Sequence, residues 1–233
     1  MSGPTQDPVE AHARQIAEQA RAKLQQELAF AKAKQGQGLI APGAVAPQEL
    51  IPSPGKERWA IKTANSQDQD RNNIDPTVKT VTVEDLLLIQ RPDDIPFTQN
   101  NPQYDTQRST TAERTTYQCQ ATIIAFKMEQ DGDYHIVIQG SSGNTMIVEI
   151  PDPDPDFVTD SLFKDQIAAA RQAFDNQLGQ GEAFMQQVNQ LATITGIGFF
   201  DRMHGQTGVA QTNGLELHPV IGLSFGNGGN AGN

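Results

Sequence analysis

The chain has 233 residues, of which 36% are apolar, and it carries a formal net charge of -11 with a mean hydropathy of -0.51. Residues 1–56 hold six Lys or Arg against five Asp or Glu, whereas residues 57–233 hold 11 against 23. So acidic a region lacks the basic surface that binds nucleic acid or an anionic membrane, and the single cysteine, Cys119, excludes an intrachain disulfide and a cysteine-rich zinc site.

Residues 1–35 are predicted to form an N-terminal helix over Pro8–Lys34, because apolar residues recur there at three- and four-residue steps. Most of these apolar residues are alanine, so we expect the helix to dock on a protein partner or on a second copy of the chain; a frayed, solvated helix is the alternative. No basic segment followed by an apolar stretch opens the sequence, which predicts a chain without a signal peptide that is cytoplasmic or part of an exported assembly.

The next two segments are predicted to be a linker and an arm. Residues 36–56 are rich in Gly and Pro, which is typical of a flexible linker. Residues 57–113 are predicted to wrap the following domain, with a short strand at Glu57–Thr63 and a short helix at Val83–Gln90 that Thr82 caps.

Residues 114–225 change to the alternating pattern of a β domain. The predicted strands are Tyr117–Glu129, Tyr134–Gln139, Thr145–Ile150, Leu191–Asp201 and Leu215–Phe225. A helix, capped by Asp160 or Ser161, lies between the third and fourth strands with an apolar stripe from Phe163 to Leu178. This order predicts a mainly β fold, a five-stranded OB-like barrel, which binds ligands with its second and third strands and adjoining loops. Residues 226–233 are predicted to be a disordered tail.

Five segments carry a family resemblance that covers roughly Glu57 to Phe225. They are ERWAIKT, GDYHIVI, NTMIVEIPDP, TGIGFFDRMHGQTG and GLELHPVIGL. Together they resemble a family of bacterial proteins to which no activity is assigned, so the resemblance implies an OB-like fold and no mechanism.

Strand pairing is expected to bring three histidines together. A turn at Gly140–Asn144 pairs Gln139 with Thr145, and counting back places His135 opposite Glu149 on the outer face. The loops between the first and second strands and between the fourth and fifth strands, L12 and L45, lie at one end of such a barrel. The residues expected to converge at that end are Asp133, His135, Glu149, Asp201, His204, Glu216 and His218. The loop residues Gly205, Gln206, Thr207 and Gly208 offer backbone N–H groups for an anion, although a glycine-rich hairpin loop is the simpler interpretation.

Two functions fit this pattern. The leading prediction is a non-catalytic binding or assembly module that recognises a protein or a small polar ligand, in which the histidines tie down a loop. The alternative is a metal-dependent hydrolase of the phosphodiesterase type, with His135, His204 and His218 as ligands of a divalent metal and Glu149 or Glu216 as the base.

Overall fold

The computed structural model describes residues 22, 25–26, 57–93, 102–154, 158–202 and 213–226. Ala22, Gln25 and Gln26 are helical. The rest of the predicted N-terminal helix, the linker 36–56 and residues 227–233 of the predicted tail lie outside the described residues. Within the described ranges, no helix is both long and apolar enough to cross a membrane.

In the described residues, one mixed sheet of six strands closes into a ring. The strands are β1 (Asp75–Thr80), β2 (Thr115–Met128), β3 (Tyr134–Gln139), β4 (Thr145–Ile150), β5 (Gln186–Phe200) and β6 (Leu215–Phe225). Their order is β1-β2-β3-β4-β6-β5, and β5 also pairs with β2, so that β2 to β6 complete the ring. The pairs β1–β2 and β4–β6 are parallel, and the other pairs are antiparallel. The prediction of a mainly β chain is confirmed.

The prediction of five strands missed β1. All six residues of Asp75–Thr80 are exposed, so the segment has no buried face and no alternating pattern. It is held instead by backbone pairing to the first residues of β2. The same cause explains why β5 begins at Gln186 and not at Leu191, since its polar first residues pair with β2 without being buried.

The α-helices with defined bounds in the described part of the chain are α1 (Trp59–Thr63), α2 (Val83–Leu87) and α3 (Lys164–Leu178). Short 3₁₀ helices lie at Arg71–Asn73, Pro102–Asp105 and Thr111–Arg114. The prediction that Glu57–Thr63 is a strand was wrong. The residues on either side of α1, Arg58 and Ala64, have left-handed backbone angles, with φ of 48° and 50°, which confine the segment to a single helical turn. A five-residue helix is too short to show a 3.6-residue period in its sequence.

The cap predicted for α2 is present, whereas the caps predicted for α3 are not. Thr82 Oγ1 accepts a hydrogen bond from Asp85 N at 3.1 Å, and Asp85 Oδ2 accepts one from Thr82 N at 2.9 Å. The first flanking residue of α3 is Phe163, which has no side-chain cap. Ser161 instead donates its hydroxyl to Thr63 O at 2.6 Å, which ties the chain before α3 to the end of α1.

The hydrophobic core lies inside the ring and under α3. Phe174 of α3 packs edge-on against Phe126, with ring centres 4.8 Å apart, and at 5.1 Å from Tyr134. Tyr134 also donates its hydroxyl to Asp175 Oδ1 at 2.8 Å. The helix therefore fixes the start of β3, the strand that carries His135.

Candidate functional site

The two faces of β3 carry different chemistry. Tyr134, Ile136 and Ile138 belong to the core inside the ring. On the opposite face, His135 pairs across the strands with Glu149 of β4, as the register predicted. Polar side chains from three neighbouring strands lie on this outer face, and we call them the polar cluster: Asp133, His135, Glu149, Glu216 and His218.

The polar cluster lies outside the ring but is closed to solvent. Each of its five residues is at most 5% exposed. Lys62 of α1 covers part of it, with Nζ 3.8 Å from Glu149 Oε2 and 5.5 Å from the centre of the Phe199 ring. Phe199 in turn packs edge-on against the imidazole of His218, with ring centres 5.6 Å apart. As expected from residue alternation, these polar side chains point away from the core. Other segments cover this outer face, however, so it is buried.

Glu149 lies between two histidines. Its Oε1 is 2.8 Å from Nδ1 of His135, and its Oε2 is 3.0 Å from Nδ1 of His218. The other nitrogen of His218, Nε2, is 3.4 Å from Oδ2 of Asp133. On the far side, Nδ1 of His135 is 3.7 Å from Oε1 of Glu129, the first residue of the β2–β3 connection. Two imidazoles and three carboxylates are thus linked through one glutamate.

These contacts divide into two sets of three residues that share Glu149. The inner triad is Asp133, Glu149 and His218, and the outer triad is Glu129, His135 and Glu149. In each triad, one donor atom from every residue lies within 4.8 Å of the other two. The inner triad is buried throughout, whereas the side chain of Glu129 is 34% exposed, so the outer triad reaches the surface.

Several donor and acceptor atoms of the polar cluster have no hydrogen-bond partner. They are both ring nitrogens of His218, Oδ2 of Asp133 and Oε2 of Glu216. Each nitrogen of His218 nevertheless faces a carboxylate, Nδ1 at 3.0 Å from Glu149 Oε2 and Nε2 at 3.4 Å from Asp133 Oδ2. Buried polar atoms are nearly always satisfied. Unsatisfied atoms on three neighbouring buried side chains therefore indicate a position for a ligand.

The number of buried carboxyl groups gives a second indication of a ligand. Asp133, Glu149, Glu216 and the neighbouring Asp201 are four carboxyl groups at most 5% exposed. The charge of Lys62 acts on each of them, and that of Arg91 acts on Asp201 and Glu216. Burial would lower the pKa values of His135 and His218, but their contacts with Glu149 and Asp133 raise both, so protons on the imidazoles offset part of the negative charge. Burying uncompensated charge is costly, so the excess must be removed by protons or balanced by a cation.

Titration is perturbed throughout this region. Burial would raise the pKa of Glu149, but the charge of Lys62 and the contacts with His135 and His218 hold it well below its usual value. Burial would lower the pKa of Lys62, yet the surrounding carboxylates, Asp201 first, raise it well above its usual value. The pair is therefore charged at neutral pH.

The pKa values of the other acidic residues in this region are raised, in contrast to that of Glu149. Burial, followed by the charges of Asp201 and Glu149, raises the pKa of Glu216 well above its usual value. Burial also raises the pKa of Asp133, against the opposing effect of His218. At the edge of the cluster, burial and the charges of Asp133 and Glu149 raise the pKa of Asp131 to about 7. Perturbation of this kind is common in functional sites and also occurs in structural networks.

The structure brings together four of the predicted site residues, Asp133, His135, Glu149 and His218. Glu216 and Asp201 are buried nearby and act on each other electrostatically. His204 and the loop residues Gly205, Gln206, Thr207 and Gly208 lie outside the described residues.

Two residues of the site were missed. Lys62 was assigned to a strand of the arm, and nothing local in the sequence places that segment beside β4. Glu129 could have been found, because the predicted turn at 130–133 places it next to Asp133, where Glu129 N donates to Asp133 O at 2.9 Å.

Comparison of the chain with protein families, curated proteins and solved structures gives no match. The family resemblance of residues 57–225 therefore stays a prediction.

Proposed function

We propose that this chain is a non-catalytic OB-like binding module whose ligand is a divalent metal ion, held by the inner triad of Asp133, Glu149 and His218. The observation that carries the proposal is the set of buried, unsatisfied donor atoms on Asp133 and His218, next to Glu149. The docking of the N-terminal helix, residues 1–35, on a partner or a second copy remains part of the proposal.

The fold supports this position for a ligand. Five strands in a ring, with α3 between the third and fourth of them, match the order expected of an OB-fold. OB-folds bind with the face of their second and third strands, which correspond to β3 and β4 here. Asp133 immediately precedes β3, and Glu149 lies on β4.

The spacing of the donor atoms supports a metal ion. Ligands about 2.1 Å from an ion lie about 3.0 Å apart when they are adjacent in an octahedral site, and about 3.4 Å apart in a tetrahedral one. Nδ1 of His218 lies 3.0 Å from Glu149 Oε2, and Nε2 lies 3.4 Å from Asp133 Oδ2. These are different nitrogens of one ring, so the side chains must rearrange to bring both carboxylates to one nitrogen; one donor atom from each residue already lies within 4.8 Å of the other two.

The chemistry of the donors limits the choice of ion. One imidazole with two carboxylates suits Zn²⁺ or Mn²⁺, whereas Mg²⁺ and Ca²⁺ prefer ligand sets made of oxygen alone. A divalent ion also balances two of the buried negative charges.

Burial favours binding over the alternative, a metal-dependent phosphodiesterase. The three residues of the inner triad are at most 5% exposed. A catalytic metal needs an open coordination position that the substrate can reach.

The test is metal binding by the full chain. Protein stripped with EDTA is titrated with Zn²⁺ and with Mn²⁺, and bound metal is counted by elemental analysis. At 100 times the Kd a bound ion stabilises the folded state by about 2.7 kcal/mol, or about 5–11 °C in Tm for a chain of this size. We expect Glu149→Gln to lose the ion and Glu182→Gln, which removes an exposed carboxylate outside the cluster, to keep it.

Wild-type protein that binds neither ion overturns the proposal and leaves a polar network balanced by protons. Hydrolysis of a chromogenic phosphodiester by the metal-loaded chain, abolished by Glu149→Gln, would overturn the non-catalytic part and favour the phosphodiesterase.

A further inference from the structure

We infer that the site holds a pair of divalent ions bridged by Glu149, the second ion being bound by the outer triad of Glu129, His135 and Glu149. The inference rests on the proposed function, since it adds a second ion to the ion of the inner triad.

The first support is the way in which Glu149 is shared. Its two oxygens face different histidines, with Oε1 2.8 Å from His135 and Oε2 3.0 Å from His218. A carboxylate arranged in this way can give one oxygen to each of two ions. Pairs of ions in proteins lie about 3.5–4 Å apart, a separation that one carboxylate spans.

The second support is the composition and spacing of the outer triad. It offers one imidazole and two carboxylates, as the inner triad does, with donor atoms that lie within 4.8 Å of one another. The 2.8 Å and 3.7 Å distances from Nδ1 of His135 to Glu149 and Glu129 bracket the separations of adjacent metal ligands. His135 and Glu149 form a hydrogen bond in this structure, which the second ion would replace.

The third support is the difference in exposure between the triads. The side chain of Glu129 is 34% exposed, whereas Asp133 and His218 are at most 1% exposed. Water can therefore complete the coordination of an outer ion, and that ion can exchange with solvent. Lys127 Nζ lies 3.1 Å from Glu129 Oε1 and competes with the ion for this carboxylate. We expect the outer ion to be the weaker and faster-exchanging of the two.

The experiment counts ions per chain and separates the two triads. Stripped full-length protein is titrated with Mn²⁺ by calorimetry and elemental analysis, and electron paramagnetic resonance tests whether the bound ions are magnetically coupled. Wild-type protein should bind two coupled ions. Glu129→Gln and His135→Asn should each bind one uncoupled ion, and Glu149→Gln should lose the coupled pair.

Glu182→Gln is the matched control for Glu129→Gln, because Glu182 is exposed and its carbonyl accepts a hydrogen bond from Met128 N at the end of the same strand. It should keep two ions. Glu129 is partly exposed, so its variant should fold, and thermal unfolding of the stripped protein checks this.

One ion per wild-type chain, unchanged in Glu129→Gln, would overturn the bridged pair and leave the proposed function in place. Two ions that show no magnetic coupling, or two that persist in Glu149→Gln, would overturn the bridge. No bound ion would overturn the pair and the proposed function together.

Discussion

Glu113→Gln is expected to destabilise the fold strongly, because Glu113 is a fully buried carboxylate that joins the predicted arm to the ring. Its Oε1 accepts hydrogen bonds from Arg58 Nη1 at 2.6 Å and from Phe200 N at 2.9 Å. Its Oε2 accepts from Arg58 Nη2 at 2.9 Å and from Ser109 N at 2.7 Å. The side chains of Arg58 and Glu113 are 7% and 0% exposed.

Glutamine has nearly the same shape but turns an NH₂ group towards these donors and leaves the charge of Arg58 unpaired. Removing one partner of a buried ion pair costs about 3–5 kcal/mol. For a chain of this size we expect Tm to fall by roughly 6–20 °C. Urea unfolding followed by circular dichroism measures the difference in free energy directly.

The destabilisation caused by Glu113→Gln should decrease at low pH. Burial would raise the pKa of Glu113, but the charge and hydrogen bonds of Arg58 hold it below its usual value of 4.5. A group whose folded pKa is depressed contributes its full stability above the unfolded pKa and loses it as pH falls through the folded value. The difference in the free energy of unfolding between wild type and Glu113→Gln should therefore be constant above about pH 4.5 and decrease below it.

The control is a double-mutant cycle with Arg58→Met. If the two residues act as a pair, the double variant is destabilised by less than the sum of the single variants. The reasoning would be refuted if Glu113→Gln lowered the free energy of unfolding by less than about 1 kcal/mol at pH 7. It would also be refuted if the effects of the two single substitutions added up fully in the double variant.

Two further substitutions test local features of the fold. Thr82→Ala removes the cap of α2 and should cost about 1 kcal/mol, measured by urea unfolding; an unchanged midpoint would contradict the cap. Gly198→Ala should cost about 1–3 kcal/mol or more, because its Cβ would overlap the carbonyl oxygen of Ala112. Gly226→Ala, whose Cβ would have its nearest neighbour at 3.9 Å, is the matched control and should change stability little; equal effects of the two substitutions would refute the overlap.

Local patterns were reliable where a strand has one face in the core and a short connection. β3, β4 and β6 have the predicted bounds. Burial does not alternate along β3 and β4, which are buried on both faces, so their bounds follow from the turn and loop residues that flank them. The turn length between β3 and β4 then fixes the register, so the pairing of His135 with Glu149 followed from counting residues. Thr82 could be recognised as a cap because its partner, Asp85, is three residues away.

Features that depend on contacts between distant segments could not be predicted from local sequence patterns. β1 is exposed and exists through backbone pairing with residues 38 to 40 positions later in the chain. Lys62 reaches Glu149 across 87 positions, and its charge helps to set the pKa values of the carboxylates around it.

The sequence by itself determined the mainly β class, the strands of the ring that have a buried face, and the presence of His135 and Glu149 opposite each other, since these follow from residue alternation and turn length. Only the tertiary structure decided that Lys62 of α1 covers part of the outer face and that Glu149 lies between two histidines. Those features depend on packing between segments far apart in the chain, which no local pattern encodes.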